Sequence, residues 1–168
     1  DCPVPVIARI NGHCLGGGLA LAVVHRLIAD RVDTPGAIYA GTPWADLTKT
    51  GDTLFANEGL DRVLVRYEGL LEEAALLYAD GRDLKDPLLS PVYGDFDRFP
   101  PTYFITGTRD MFLSDTVRTH RKMRVAGVAA ELNVYEAISH AEYLILVDSP
   151  ESKQAFDELG DFLRRHLP

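Results

Sequence analysis

Three residues of this 168-residue chain have the types and order that nucleophilic catalysis needs: Cys14, Asp110 and His140. Cys14 stands in Gly12-His13-Cys14-Leu15-Gly16, with a glycine two residues to either side of the thiol. That spacing marks a nucleophile elbow, a strained strand-to-helix turn whose glycines let the backbone pass closely. Such a turn lifts its side chain above the carboxyl edge of a sheet and aims the first helical amides at the reaction centre. His140 would take the thiol proton, while Asp110 would set the ring's tautomer and stabilise the imidazolium. The Leu15 N–H would be one oxyanion donor. His13, beside the nucleophile position, and Trp44, just after a strand, are candidates to line the substrate site. Each has a plainer reading. Free Cys is commonly an inert buried residue. Asp110 could cap the helix that follows, with Asp115 as its nearby substitute in the acid role. His140 could be a solvated loop residue, and a lone Trp after a strand is more often packing.

The elements that must position these groups read as an α/β chain. Residues 4–10 carry Val4, Val6, Ile7 and Ile10 and predict a buried parallel-type strand. Residues 16–30 place Leu19, Ala22, Val23 and Leu27 at helical spacing, and 36–39 read as a second strand. A strand, a helix and a strand make a parallel unit. Residues 46–57 read as a loop and 59–78 as one or two amphipathic helical pieces. Residues 81–101 hold four of the ten prolines, so they are irregular. Residues 102–106 (TYFIT) predict a third strand. Ser114 or Asp115 would cap a helix running to about Val125, stopped by Gly127. Residues 130–135 (AELNVY) alternate as a fourth strand. Ser149-Pro150 opens a last helix that would bury Phe156, Leu159, Phe162 and Leu163. Cys14, Asp110 and His140 each follow a predicted strand, and chemistry in open parallel α/β sheets collects at the strands' carboxyl ends.

Composition narrows the function classes. The length suits one domain, residues 1–168, with 45–101 as a lid-like region. Apolar residues make up 46% and charged residues 25%, which is a globular balance. The net charge of −8 argues against nucleic-acid and anionic-membrane surfaces. No apolar run is long enough for a bilayer helix, and no signal segment opens the chain. Residue 1 is Asp rather than Met, so the sequence reads as a fragment or processed product. Cys2 and Cys14 flank the first strand, too far apart for a disulfide, and two free thiols suit a reducing cytoplasmic setting. No zinc spacing, phosphate loop or dinucleotide fingerprint is present, so no cofactor or metal is expected. Asp83, Asp86, Asp95 and Asp97 lack EF-hand spacing.

From about Gly12 onward the chain resembles the C-terminal half of the hormone-sensitive-lipase-like esterases, in the α/β-hydrolase superfamily. The matching pieces are GHCLGGGLAL at 12–21, PWADLT at 43–48, DPLLSPVY at 86–93, PPTYFITGTRDMFLSD at 100–115 and Ser139-His140. The resemblance implies a partial α/β-hydrolase fold, mainly parallel with helices on both faces. It also implies Asp110 as the catalytic acid and His140 as the base. The order nucleophile, acid, base is that superfamily's order. The family's elbow residue is Ser, and this chain has Cys; the branch resembling dienelactone hydrolase uses Cys with His and Asp. The family's His-Gly-Gly-Gly oxyanion motif does not occur here. Residues 5–20 (PVIARINGHCLGGGLA) are also similar to the oxyanion segment of the enoyl-CoA hydratase (crotonase) family.

The leading expectation is therefore a carboxylic ester hydrolase forming an acyl-enzyme on Cys14. The alternatives are an inactive half-hydrolase serving as a binding or assembly module, and acyl-CoA thioester binding through the glycine-rich turn. The expected ligand is a small-molecule ester. A bare edge on the first strand would recruit a second copy, so a homo-oligomer or a missing N-terminal segment is expected.

Overall fold

The structure is a computed structural model that describes residues 16–167. The strand expected at 4–10, and His13, Cys14 and Leu15, lie outside the described residues. Among the described residues three parallel strands form a sheet: β1 (Ile38–Gly41), β2 (Thr102–Gly107) and β3 (Ala130–Tyr135), in the order β1-β2-β3. Ile38 pairs with Thr102, and Thr102 with Ala130, so all three strands run in step toward one carboxyl edge. Every residue of β2 is buried, as a central parallel strand requires.

Alternation along β2 sorts the helices onto two faces. Phe104 packs with Leu21 and Val24 of α1 (Gly16–Ala29) and with Met123 of α4 (Leu113–Val125). Tyr103 and Ile105 point the other way, to Ala155 and Phe162 of α6 (Pro150–His166). A third cluster covers the carboxyl edge, joining Trp44, Leu54, Tyr67, Met111 and Phe112. It includes Leu71 and Ala75 of α3 (Leu70–Ala79), while Leu54 comes from the short α2 (Thr53–Ala56); another short helix, α5 (Glu142–Ile145), precedes α6. The glycines of α1 let it approach β1 closely. A Cβ on Gly18 would lie 2.0 Å from the Trp44 carbonyl oxygen, and one on Gly17 2.5 Å from that of Gly41.

Five sequence expectations need correction, the first being the loop expected at 46–57, which contains α2. The second strand is displaced from 36–39 to Ile38–Gly41. The helical reading of 59–78 holds only for α3, because the Asp61 carboxylate accepts the Val63 and Leu64 N–H groups that a helix would use. Gly59, Val65 and Gly69 also adopt positive φ there. The cap expected from Ser114 or Asp115 is absent: Phe112 occupies the cap position without a side-chain bond, and Asp115 is buried one turn in. On α6, Ser149 accepts the Ser152 N–H with Pro150 in the first turn, but Phe156 is 47% exposed. Ala155 takes its place in the core.

Candidate active site

Because β2 and β3 are parallel neighbours, the segments that follow them emerge side by side. Asp110 lies three residues beyond β2 and His140 five residues beyond β3. Both are buried. The His140 Nδ1 lies 3.2 Å from the Asp110 Oδ1. The same Oδ1 accepts the Phe112 N–H at 2.8 Å, so Asp110 meets the start of α4 as well as the histidine. Its other oxygen accepts the Thr106 hydroxyl at 2.8 Å. Donors therefore reach both carboxylate oxygens, the condition for burying such a group without large cost.

Aromatic packing backs the histidine. The Phe112 ring meets the His140 ring edge-on, with centroids 5.1 Å apart. Trp44 stacks on Phe112, 4.9 Å away and 17° from parallel, and donates its ring N–H to the Asp46 carbonyl. Trp44 is 1% exposed, so in the described structure it belongs to the packing behind His140. Cys14, Leu15 and His13 lie outside the described residues, which leaves their placement relative to His140 to the proposal below.

The loop that carries Trp44 is tied down by a buried carboxyl group. The Ala45 and Asp46 N–H groups both donate to the Asp115 Oδ2, at 3.1 and 3.0 Å. The Asp115 Oδ1 is buried with no hydrogen-bond partner. Burial, then repulsion from Asp46, pushes the Asp115 carboxyl well above its ordinary range. Asp46 goes the other way: burial opposes ionisation, but Thr48 and the Arg118 guanidinium at 2.6 Å hold it below the usual range. For Asp115 the folded value exceeds the unfolded one. Its stabilising contribution is thus full in acid below the unfolded pKa and is lost as pH rises through the folded value. Asp115→Asn keeps one oxygen for the two N–H groups and removes the charge. Its melting temperature is expected to exceed the parent's by a few °C near pH 8 and to converge with it near pH 4. A variant that melts lower at every pH would show that the charged carboxylate is what anchors the loop.

Several polar groups at this edge gave no sequence signal. Asn57, Asp61 and Glu142 are buried polar residues with partners in other segments, and Thr106 is buried with its hydroxyl on Asp110, four residues on. Among the described residues, no group of three or more His, Cys, Asp or Glu is placed to hold a metal ion. No described helix is long and apolar enough to cross a membrane.

A sequence model of the alpha/beta hydrolase fold family matches residues 8–144, a span that takes in the glycine-rich turn, Asp110 and His140. An esterase of Acinetobacter venetianus is 29% identical over 153 residues, covering 91% of this chain and 50% of the relative. The crystal structure of an esterase called E25 superposes with a TM-score of 0.88 at 56% identity, covering 91% of this chain and 47% of E25. An esterase from the bacterial hormone-sensitive lipase family gives 0.85 at 30% identity, covering 91% and 51%. The chain thus spans about half the length of the relatives it matches.

Proposed function

Because this chain belongs to the alpha/beta hydrolase fold family, we propose that it hydrolyses small carboxylic esters through Cys14, His140 and Asp110. The observation that carries this reading is the His140–Asp110 contact at 3.2 Å, buried at the carboxyl edge of two parallel strands. With Nδ1 engaged by Asp110, Nε2 is the nitrogen available to the Cys14 thiol. His140 Nε2 takes the thiol proton, and the thiolate attacks the ester carbonyl carbon. The Leu15 N–H donates to the oxyanion that forms. Collapse of the tetrahedral intermediate expels the alcohol, which leaves with the proton from His140. Water then gives a proton to His140 Nε2, attacks the thioester and releases the acid, regenerating the thiol. His13 is placed as a lining residue by its position next to Cys14, and Trp44 acts on the pocket through Phe112. The similarity to esterases supports the ester as substrate class.

The test is p-nitrophenyl acetate with intact-mass detection, on the parent, Cys14→Ala and Cys14→Ser. Expected is an acetyl adduct that maps to Cys14, forms and decays, and is absent from the Ala variant together with turnover. Turnover in Cys14→Ser without any adduct in the parent would mark a serine-hydrolase site silenced by one substitution. Silence in all three proteins would favour a binding or assembly module.

A further inference from the structure

The segments bearing Asp110 and His140 are bonded to each other near the sheet. Arg109 N–H donates to the Ile138 carbonyl at 3.1 Å, and Ala137 N–H to the Thr108 hydroxyl at 2.8 Å. Beyond these, where the two functional side chains lie, backbone-to-backbone bonding between the segments stops among the described residues. A third segment takes over. The Asn57 side-chain amide donates to the carbonyls of Thr108 and Asp110, at 3.1 and 2.9 Å. The buried Asp61 Oδ2 accepts the Met111 N–H at 2.9 Å. One residue on, the Arg62 N–H donates to the Ser139 hydroxyl at 3.1 Å. The Arg62 guanidinium meets the Glu142 carboxylate at 2.6 Å, and the other Glu142 oxygen accepts the Ser139 N–H at 2.9 Å.

We infer that the turn from Asn57 to Arg62 is a brace that sets the spacing of Asp110 and His140, with Asn57 and Glu142 as its positioning residues. This inference rests on the acid and base roles proposed above. The turn grips the Asp110 segment on both sides of the carboxylate, at Thr108 and at Met111. It grips the His140 segment on both sides of the imidazole, at Ser139 and at Glu142. Six residues of chain thereby join two segments that lie thirty residues apart. The chemistry of each contact is directional. Asn57 can serve the two carbonyls only through its NH2 group. Glu142 uses one oxygen for the Ser139 backbone and the other for the exposed Arg62. The two oxygens therefore have separable duties.

The experiment compares Asn57→Asp, Glu142→Ala and Glu142→Gln in the whole chain, after circular dichroism and melting show each is folded. Asn57→Asp preserves shape but turns an oxygen toward two carbonyl oxygens. Its kcat for p-nitrophenyl acetate is expected to fall about 100-fold, the cost of a misplacement near 1 Å, with KM within about twofold. Glu142→Ala is expected to lose about 10-fold in kcat, and Glu142→Gln, which still accepts the Ser139 N–H, to recover most of it. Parent-like kcat in a folded Asn57→Asp, or a loss that appears in KM alone, would overturn the brace. A second readout needs no turnover. The 15N shifts of the His140 ring, assigned by their loss in His140→Ala, report which nitrogen carries the proton when the ring is neutral. Asn57→Asp is expected to shift the ring from the Nδ1–H form toward the Nε2–H form. An unchanged tautomer would overturn the inference even if the chain shows no esterase activity, so failure of the brace and failure of the proposed reaction remain distinguishable.

Discussion

His140→Ala is expected to slow acetylation of Cys14 by p-nitrophenyl acetate by about 10,000-fold, while Asp110→Asn slows it by only about 10- to 150-fold. The first figure is the upper range for loss of a positioned general base. The second follows from which donors face Asp110. Asn at this position must decide where its oxygen goes. The Phe112 N–H points at Oδ1 and requires an acceptor there. The Thr106 hydroxyl at Oδ2 can rotate and accept from an amide NH2 instead of donating. The oxygen therefore stays at Oδ1, where it also accepts from the His140 Nδ1–H. The tautomer survives and only the negative charge is lost. A hydrogen bond to a charged group is worth about 1.5–3 kcal/mol, which sets the stated range of rates. Stopped-flow measurement of the acetylation phase checks both variants. Asp110→Asn as damaged as His140→Ala would mean that the amide had turned and imposed the wrong tautomer on the ring.

The same geometry explains what the sequence could and could not disclose. Two apolar runs each followed by a polar loop were enough to place Asp110 and His140 near each other. Parallel pairing of neighbouring strands brings their carboxyl ends to one edge whatever the loops do. The start of α6 was equally legible, because Ser149 and Pro150 act within one turn of themselves. Residues 59–69 failed for the opposite reason. Their apolar spacing favours a helix, but the Asp61 carboxylate takes two N–H groups for a turn and reaches Met111, fifty residues away. Periodicity does not see a competitor of that kind. Phe156 has helical spacing with Leu159 and Leu163 and is nonetheless 47% exposed, since the rotation of α6 is set by Ala155 and Phe162, seven residues apart, against β2. Asn57 was invisible because its bonds lie in a distant segment, and Glu142 because its link to Arg62 spans eighty residues while its local bond to the Ser139 N–H leaves no pattern in the sequence. Cys14, the residue with the sharpest local signal, lies outside the described residues, so its elbow spacing remains the ground for its role.

Gly107→Ala is expected to be the most damaging single methyl group in the described part of this site. Gly107 is the last residue of β2, three before Asp110. A Cβ there would lie 1.9 Å from the Ile138 carbonyl oxygen and 2.5 Å from its carbon. Those are backbone atoms, so no rotamer change relieves the clash. Ile138 is two residues before His140, and its carbonyl already accepts the Arg109 N–H at 3.1 Å. To make room, the His140 segment must move away from β2, and the Arg109 bond stretches with it. Overpacking of this kind costs about 3 kcal/mol, a fall in melting temperature of about 6–12 °C for a domain of this size. Activity suffers separately. A displacement near 1 Å of His140 from Asp110 costs about 100-fold in kcat with little change in KM. Calorimetry and steady-state kinetics, the latter at least 15 °C below the variant's melting point, separate the two effects. Parent-like kcat beside a lowered melting temperature would show that the His140 segment shifts as a unit with Asp110, carried along by Asn57 and Arg62. Loss of both would show that the brace cannot follow a displacement imposed at the strand end, and that Gly107 sets the separation on which the acid–base pair depends.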